Sequence, residues 1–97
     1  MTRRAAKVDA VQSEIVEALR AAGTTVLLLH AVGAGCPDIL CGWRTTDGQT
    51  YIHRNLLMEI KSDAGTLTPE QVEWHATWRG QVAIVRSAEE ALKLIGR

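Results

Sequence analysis

The sequence predicts an α/β domain in which a mixed, four-stranded sheet is flanked by helices in the order α-β-β-β-α-β-α. Three observations support this prediction. Apolar residues recur at helical spacing over residues 8–22, three strand-like segments follow, and a capped helical segment precedes a fourth. A helical connection allows neighbouring strands to run parallel, whereas a short turn makes them antiparallel, so the sheet is expected to be mixed.

The first helix is predicted over residues 8–22, and Gly23 supplies its stop. Glu14 lies about 60° from Val11 around this helix, at the border of the apolar stripe. Glu14 can therefore face the edge of the sheet, whereas Glu17 is turned further toward solvent. Position alone leaves open whether Glu14 is an ordinary flanking carboxylate.

Two strands and a tight turn are predicted next. Residues 24–32 are rich in valine and leucine and are too few for a typical helix, which favours a buried strand. The glycine-rich segment 33–35 allows a tight turn, and Pro37 suits the start of a strand because it lacks an N–H. The second strand, predicted over Ile39–Trp43, therefore begins directly after Asp38.

The third strand, Tyr51–Lys61, is predicted to return antiparallel because Asp47-Gly48 is a turn signal. Side chains alternate across a strand, so Glu59 and Lys61 point to the same face. Burying either charge without a partner would cost several kcal/mol, which indicates a polar pocket at the margin of the sheet. Two neighbouring strands could bring Asp38 beside Glu59.

The second helix has an explicit start signal. Thr68 is the predicted N-cap of a helix over residues 69–79, and Gln71 stands where the partner in a capping box is found. A fourth strand is predicted over residues 81–86. The last helix then begins after Ser87, which is its predicted N-cap.

Length and composition fit one small domain. The 97 residues are expected to form a single domain, with residues 1–7 as a flexible basic arm. The hydrophobic fraction of 46% and the charged fraction of 23% are ordinary for a globular protein, and no apolar run approaches the roughly 20 residues that span a bilayer. The formal net charge is zero, so any binding of nucleic acid must depend on local charge.

The motif Pro37-Asp38, followed after a gap by Glu59-Ile60-Lys61, resembles the signature of the PD-(D/E)XK nuclease superfamily. Three further features make the resemblance more specific. Pro37-Asp38 is preceded by Gly35-Cys36, the lysine is followed by the segment 65–71, and a helix containing Glu14 precedes both motifs. This order is similar to the virus-type replication and repair nuclease branch (VRR-NUC), over nearly the whole chain.

The resemblance implies a restriction-endonuclease-like core and a Mg²⁺-dependent, structure-selective DNA endonuclease, with Mn²⁺ as a substitute ion. Branched DNA such as a Holliday junction is the implied substrate, in DNA repair or recombination in the cytoplasm of a bacterial or phage-infected cell. Hard oxygen ligands suit these ions. The implied metal ligands are Glu14, Asp38, Glu59 and the backbone carbonyl of Ile60. The implied catalytic residues are Asp38, Glu59, Lys61 and Gln71, with Lys61 and Gln71 also contacting substrate.

Simpler interpretations stand beside this one. Glu59 and Lys61 could form a sheet-edge ion pair, which contributes about 0–1 kcal/mol when exposed. The capping box is by itself a complete explanation of Gln71. The chain could also be a non-catalytic nucleic-acid-binding module that keeps the fold, or a nuclease for flaps, nicks or linear DNA. The spacing of the cysteines and histidines fits no standard zinc motif.

A homodimer or higher homo-oligomer is expected, because symmetric cleavage of a junction needs two metal sites related by a two-fold axis. Trp74 and Trp78 lie one helical turn apart, with His75 between them, and aromatic residues are enriched at interface cores. The alternative is that both tryptophans pack on their own sheet.

Overall fold

The computed structural model describes residues 3–97 and confirms the predicted order of elements. The three helices and four strands are α1 (Arg3–Ala21), β1 (Thr25–Leu28), β2 (Ile39–Thr46), β3 (Tyr51–Ile60), α2 (Pro69–Thr77), β4 (Val82–Val85) and α3 (Ala88–Leu94). None of the helices within this part of the chain is long and apolar enough to cross a membrane.

The four strands form one sheet in the order β1-β2-β3-β4. β1 and β2 are antiparallel, β2 and β3 are antiparallel, and β3 and β4 are parallel. The predicted mixed sheet is therefore confirmed, and the single parallel pair is the one joined through a helix, as the length of that connection requires.

The hydrophobic core lies on one face of the sheet, where α1 and α3 pack against the strands. Met58 and Ile60 of β3 point into it, and helix α1 contributes Ile15 and Leu19, all four with no more than 1% of their surface exposed. The remaining buried members are Val16, Val26, Ile39, Cys41, Val85, Ala91 and Ile95. This face therefore provides most of the apolar burial that stabilises the fold.

The largest differences from the prediction are at three element boundaries. Helix α1 begins at Arg3 rather than at residue 8, because the intervening alanines and basic residues are good helix formers. It thus includes most of the predicted arm, whose residues 1 and 2 lie outside the described residues. β1 ends at Leu28, since the chain turns where the Val32 amide donates to the Leu29 carbonyl. β2 extends to Thr46, because the whole segment pairs with β3.

Candidate active site

The register of β2 and β3 brings Asp38 beside Glu59. Ile39 pairs with Met58, so the residue before one lies across from the residue after the other. The Asp38 amide donates to the Met58 carbonyl at 3.2 Å, and Asp38 Oδ2 accepts from the Ile60 amide at 2.7 Å. The Asp38 carboxylate is thus fixed at the side of β3, as the strand pattern suggested.

The Glu59 side chain is buried, with 1% of its surface exposed, on the face of β3 opposite the core. Its Oε2 accepts from Gln71 Nε2 at 3.3 Å, whereas its Oε1 has no hydrogen-bond partner among the described residues. Burial, and then the neighbouring Asp38 carboxylate, raises the pKa of Glu59 to about 8, and Lys61 opposes this shift. In the metal-free protein this carboxyl group therefore keeps its proton at neutral pH, and a bound cation would favour the ionised carboxylate.

The Gln71 side chain both caps helix α2 and contacts the charged residues of the site. Its amide donates to Thr68 Oγ1 at 3.2 Å and its Oε1 accepts from the Thr68 amide at 2.9 Å, which completes the predicted capping box. The same Oε1 also accepts from Lys61 Nζ at 2.7 Å. The capping role and the contact with Lys61 are therefore compatible, and the cap orients the amide that joins Glu59 to Lys61.

A glycine lets α2 approach the loop before β2. Gly35 has φ +81°, and a Cβ atom there would lie 2.6 Å from the backbone oxygen of Glu70, in the first turn of α2. No side chain fits in that space without movement of the backbone. Gly35 therefore sets the distance between the loop that carries Asp38 and the helix that carries Gln71.

Arg86 holds the loop that follows Lys61, a role that the sequence analysis missed. Its Nη1 donates to the backbone carbonyls of Ser62 and Gly65, both at 2.7 Å. Carbonyl groups at the end of a strand have no ladder partner, so a guanidinium beyond β4 satisfies them. Arg86 is therefore a structural support for the site, and no sequence signal marked it.

His75 is a second residue whose position the sequence left undecided. Its Nε2 lies 3.8 Å from Glu59 Oε1, and neither atom has a hydrogen-bond partner among the described residues. Trp74 packs against the imidazole in an edge-to-face arrangement. The available signal was the spacing of four residues from Gln71, which places both side chains on one helix face.

Glu14 is exposed on α1, and no hydrogen bond or ion pair joins it to Asp38 or Glu59. Among residues 3–97, no three histidine, cysteine, aspartate or glutamate side chains form a group that could hold a metal ion. The structure thus brings together Asp38, Glu59, Lys61 and Gln71, and it leaves Glu14 apart from them.

The donor set nevertheless fits a hard divalent cation. Asp38 and Glu59 present carboxylate oxygens at one place, and one buried oxygen of Glu59 has no partner among the described residues. An unpartnered buried carboxylate is costly, and a bound cation removes that cost. A further ligand would come from a backbone carbonyl or water, because the two carboxylates alone do not fill a six-coordinate shell.

The mixed sheet and its flanking helices agree with a restriction-endonuclease-like α/β fold. The chain is similar to a solved structure described as a "VRR_NUC domain". The match covers 92% of this chain and 94% of the other chain, with a TM-score of 0.63 and 26% sequence identity. This likeness supports the identification of the chain as a VRR-NUC domain, the family that the motifs predicted. No family model and no curated protein matches the chain.

Proposed function

We propose that this nuclease domain is a Mg²⁺-dependent DNA endonuclease that hydrolyses phosphodiester bonds of branched DNA such as Holliday junctions, with Mn²⁺ as a substitute ion. The observation that carries the proposal is the buried Glu59 oxygen that has no partner among the described residues, beside the Asp38 carboxylate. In this proposal, Asp38, Glu59 and the Ile60 carbonyl hold the ion. Glu14 would join them through water or through a change of its rotamer.

A bound divalent ion would stabilise negative charge on the scissile phosphate and lower the pKa of a water ligand. The residues of the chain prepare the site for that chemistry. Asp38 is fixed by the Ile60 amide, so its carboxylate keeps one orientation. Glu59 is held through Gln71 on one oxygen, which leaves the other free for a ligand.

Lys61 is the proposed donor to the attacking water or to the phosphate oxygens. Its ammonium group is held at 2.7 Å by Gln71 Oε1, and the capping box fixes that oxygen. The remaining N–H groups of Lys61 can contact substrate. A positioned cation of this kind stabilises the charge that develops in the transition state.

The decisive experiment compares wild-type protein with Glu59→Ala on a panel of four-way junctions, flaps, nicked duplexes and linear duplexes in Mg²⁺. Wild type is expected to cut junctions at the highest rate, and Glu59→Ala is expected to cut none of them. Preferred cleavage of flaps or nicks would correct the substrate. Binding of all substrates without cleavage, in Mg²⁺ and in Mn²⁺, would instead favour a non-catalytic nucleic-acid-binding module.

We also propose that the working unit is a homodimer, since two symmetric cuts need two sites. Trp78 stacks on Trp74 at 4.8 Å and is still 44% exposed, which leaves aromatic surface for an interface. Light scattering after size exclusion tests this. A mass of twice 10.6 kDa is expected, and a mass that stays at 10.6 kDa with and without junction DNA would favour nicking by a monomer.

A further inference from the structure

The face of the sheet that carries Glu59 continues well beyond the proposed site, along β2 and β3. Alternation places Asn55 and His53 on the same face of β3 as Glu59. Their partners across the ladder are Gly42 and Arg44 respectively. Six residues of strand span about 20 Å, which matches about six base pairs of duplex.

This part of the face is concave and is not covered by α2. A cavity of about 440 Å³ lies on it, because Gly42 contributes no side chain between its neighbours. A Cβ at Gly42 would meet Asn55 Oδ1 at 3.5 Å, an ordinary contact, so the backbone does not require glycine there. Its lining includes Gly42, Arg44, His53 and Asn55, and also Trp43 and Arg54.

The charge of this hairpin is positive although the net charge of the chain is zero. Of the charged residues between 39 and 58, Arg44 lies on the same face as Glu59, Arg54 lies on the other face, and Asp47 lies in the turn. The Asp47 carboxylate accepts from the Gln49 and Thr50 amides in the turn, so it is engaged at the tip. Arg44 packs its guanidinium over the Tyr51 ring, 4.3 Å from the centroid, which holds the cation on this face.

We propose that the hairpin surface, formed by Arg44, Tyr51, His53 and Asn55 around Gly42, binds the DNA backbone on one side of the scissile phosphate. This inference rests on the proposed function. Arg44 would donate to a phosphate oxygen, for which a guanidinium fork is well suited, and Tyr51, 60% exposed, would pack against a sugar or an unpaired base.

Three features favour nucleic acid over a second copy of the chain as the occupant. The surface is continuous with the proposed active site along one strand, and its charge is complementary to phosphate. Glycine, polar and charged residues line most of the cavity, with Trp43 as the one large apolar side chain among them, whereas the cores of protein interfaces are rich in apolar residues and poor in charge. A track that guides DNA to Glu59 is therefore the better fit.

The test uses a matched pair of arginines, one on the proposed track and one on α1, which packs on the opposite face of the sheet. Arg44 faces the proposed track, whereas Arg20 is exposed on α1, where it donates to the Val26 carbonyl. Affinity for a fluorescent four-way junction is measured by anisotropy in Ca²⁺, at several salt concentrations, for wild type, Arg44→Ala and Arg20→Ala. Arg44→Ala should bind about tenfold more weakly, with a salt slope lower by about one, and Arg20→Ala should stay within about twofold of wild type.

The length of the DNA arms gives a second measurement. Shortening each arm below about six base pairs should weaken wild-type binding but should change Arg44→Ala little, because its contact is already lost. Equal losses for both arginine variants, or no binding of DNA by wild type, would overturn the inference. An Arg44→Ala protein that binds DNA normally but no longer dimerises would also overturn the inference, because the surface would then contact a second copy of the chain.

Binding and cleavage fail separately in this design. If Glu59→Ala retained cleavage, the proposed catalytic site would be wrong while the difference between the arginine variants would still be measured. If both arginine variants bound equally and Glu59→Ala were inactive, the catalytic proposal would stand without the hairpin surface. Melting curves for each variant verify that the fold is intact.

Discussion

Met58 and Glu59 are neighbours in β3 and are about equally buried, at 0% and 1% exposure, yet they face opposite environments. Met58 lies among the apolar side chains that α1 and α3 contribute. Glu59 lies beneath α2, and within Pro69–Thr77 no residue is fully buried. One face of the sheet therefore provides stability, and this allows the other to hold a carboxylate whose burial is unfavourable.

The largest expected effect is on cleavage, through Glu59→Ala. Loss of a metal ligand should reduce the cleavage rate by at least about 10³-fold, because transition-state charge would lose its main stabilisation. Asp38→Ala should behave in the same way. The melting temperature should not fall, and junction binding in Ca²⁺ should persist. Full Mg²⁺-dependent cleavage by Glu59→Ala would refute the proposal that Glu59 is a metal ligand.

Lys61→Ala should lower kcat by about 10²–10³-fold and leave Mg²⁺ binding largely intact, since the proposed contact is with water or the transition state. Lys93→Ala, on the exposed surface of α3, removes the same charge and serves as the control. Kinetics and titration calorimetry measure the two properties. A loss of Mg²⁺ affinity in Lys61→Ala would make the lysine a structural partner of the carboxylates instead.

The stability of the metal-free protein should depend on Glu59 between about pH 5 and pH 8. The pKa of Glu59 is about 8 in the fold and 4.5 in the unfolded chain, so in this range only the folded state binds the proton. Stability is therefore highest below this range and falls as pH rises through it, by at most about 1.4 kcal/mol per pH unit.

Glu59→Gln should flatten that dependence and raise stability at pH 8, because the amide carries no charge to desolvate. The control is Glu17→Gln. Glu17 is an exposed carboxylate on α1, so this variant should follow the wild-type profile of stability against pH. Urea unfolding across the pH range measures both. A wild-type profile that rises between pH 5 and pH 8, and that Glu59→Gln does not alter, would contradict the buried-carboxylate explanation.

Met58→Ala should lower the free energy of unfolding by about 2–5 kcal/mol, through lost burial and the cavity that remains. Val72 is an apolar residue on α2 that is 52% exposed, and Val72→Ala should cost less than about 1 kcal/mol. Chemical denaturation gives both values. Equal losses of unfolding free energy would mean that the sheet face beneath α2 contributes as much to stability as the core face.

The smallest effect concerns Gly35, and Gly33 provides its control. Both have positive φ, so alanine at either position costs about 1–2 kcal/mol. Only at Gly35 would the new Cβ meet the Glu70 backbone, whereas nothing lies within 4 Å at Gly33. Gly35→Ala should therefore lose more stability and more cleavage than Gly33→Ala. Equal cleavage by both would show that the approach of α2 does not position the site.

Much of this fold could be predicted from local signals. The capping box at Thr68 and the turn residues located α2 and the β2–β3 turn, because caps and turns depend on residues within about four positions of one another. The motif residues Asp38, Glu59 and Lys61 were found in the same way, since charges in an otherwise apolar strand are unusual. Their roles in catalysis stay predictions.

The rest depended on contacts between residues distant in sequence. The register of β2 against β3 places Asp38 beside Glu59. The position of α2 over the sheet places His75 beside Glu59 as well. Arg86 reaches carbonyl groups more than twenty residues earlier, and no local pattern marks it. Helical periodicity placed Glu14 only at a border of its helix, and where that border lies relative to the carboxylates is set by packing.

The sequence by itself determined the order of elements, the helix starts and the residue types of the site, because local hydrogen bonding and side-chain periodicity specify these. Only the tertiary structure decided which buried oxygen of Glu59 lacks a partner among the described residues, and that one glutamine contacts both Glu59 and Lys61. The physical reason is that electrostatic and hydrogen-bond energies depend on distances of a few ångströms between separate elements, which spacing along the chain does not fix.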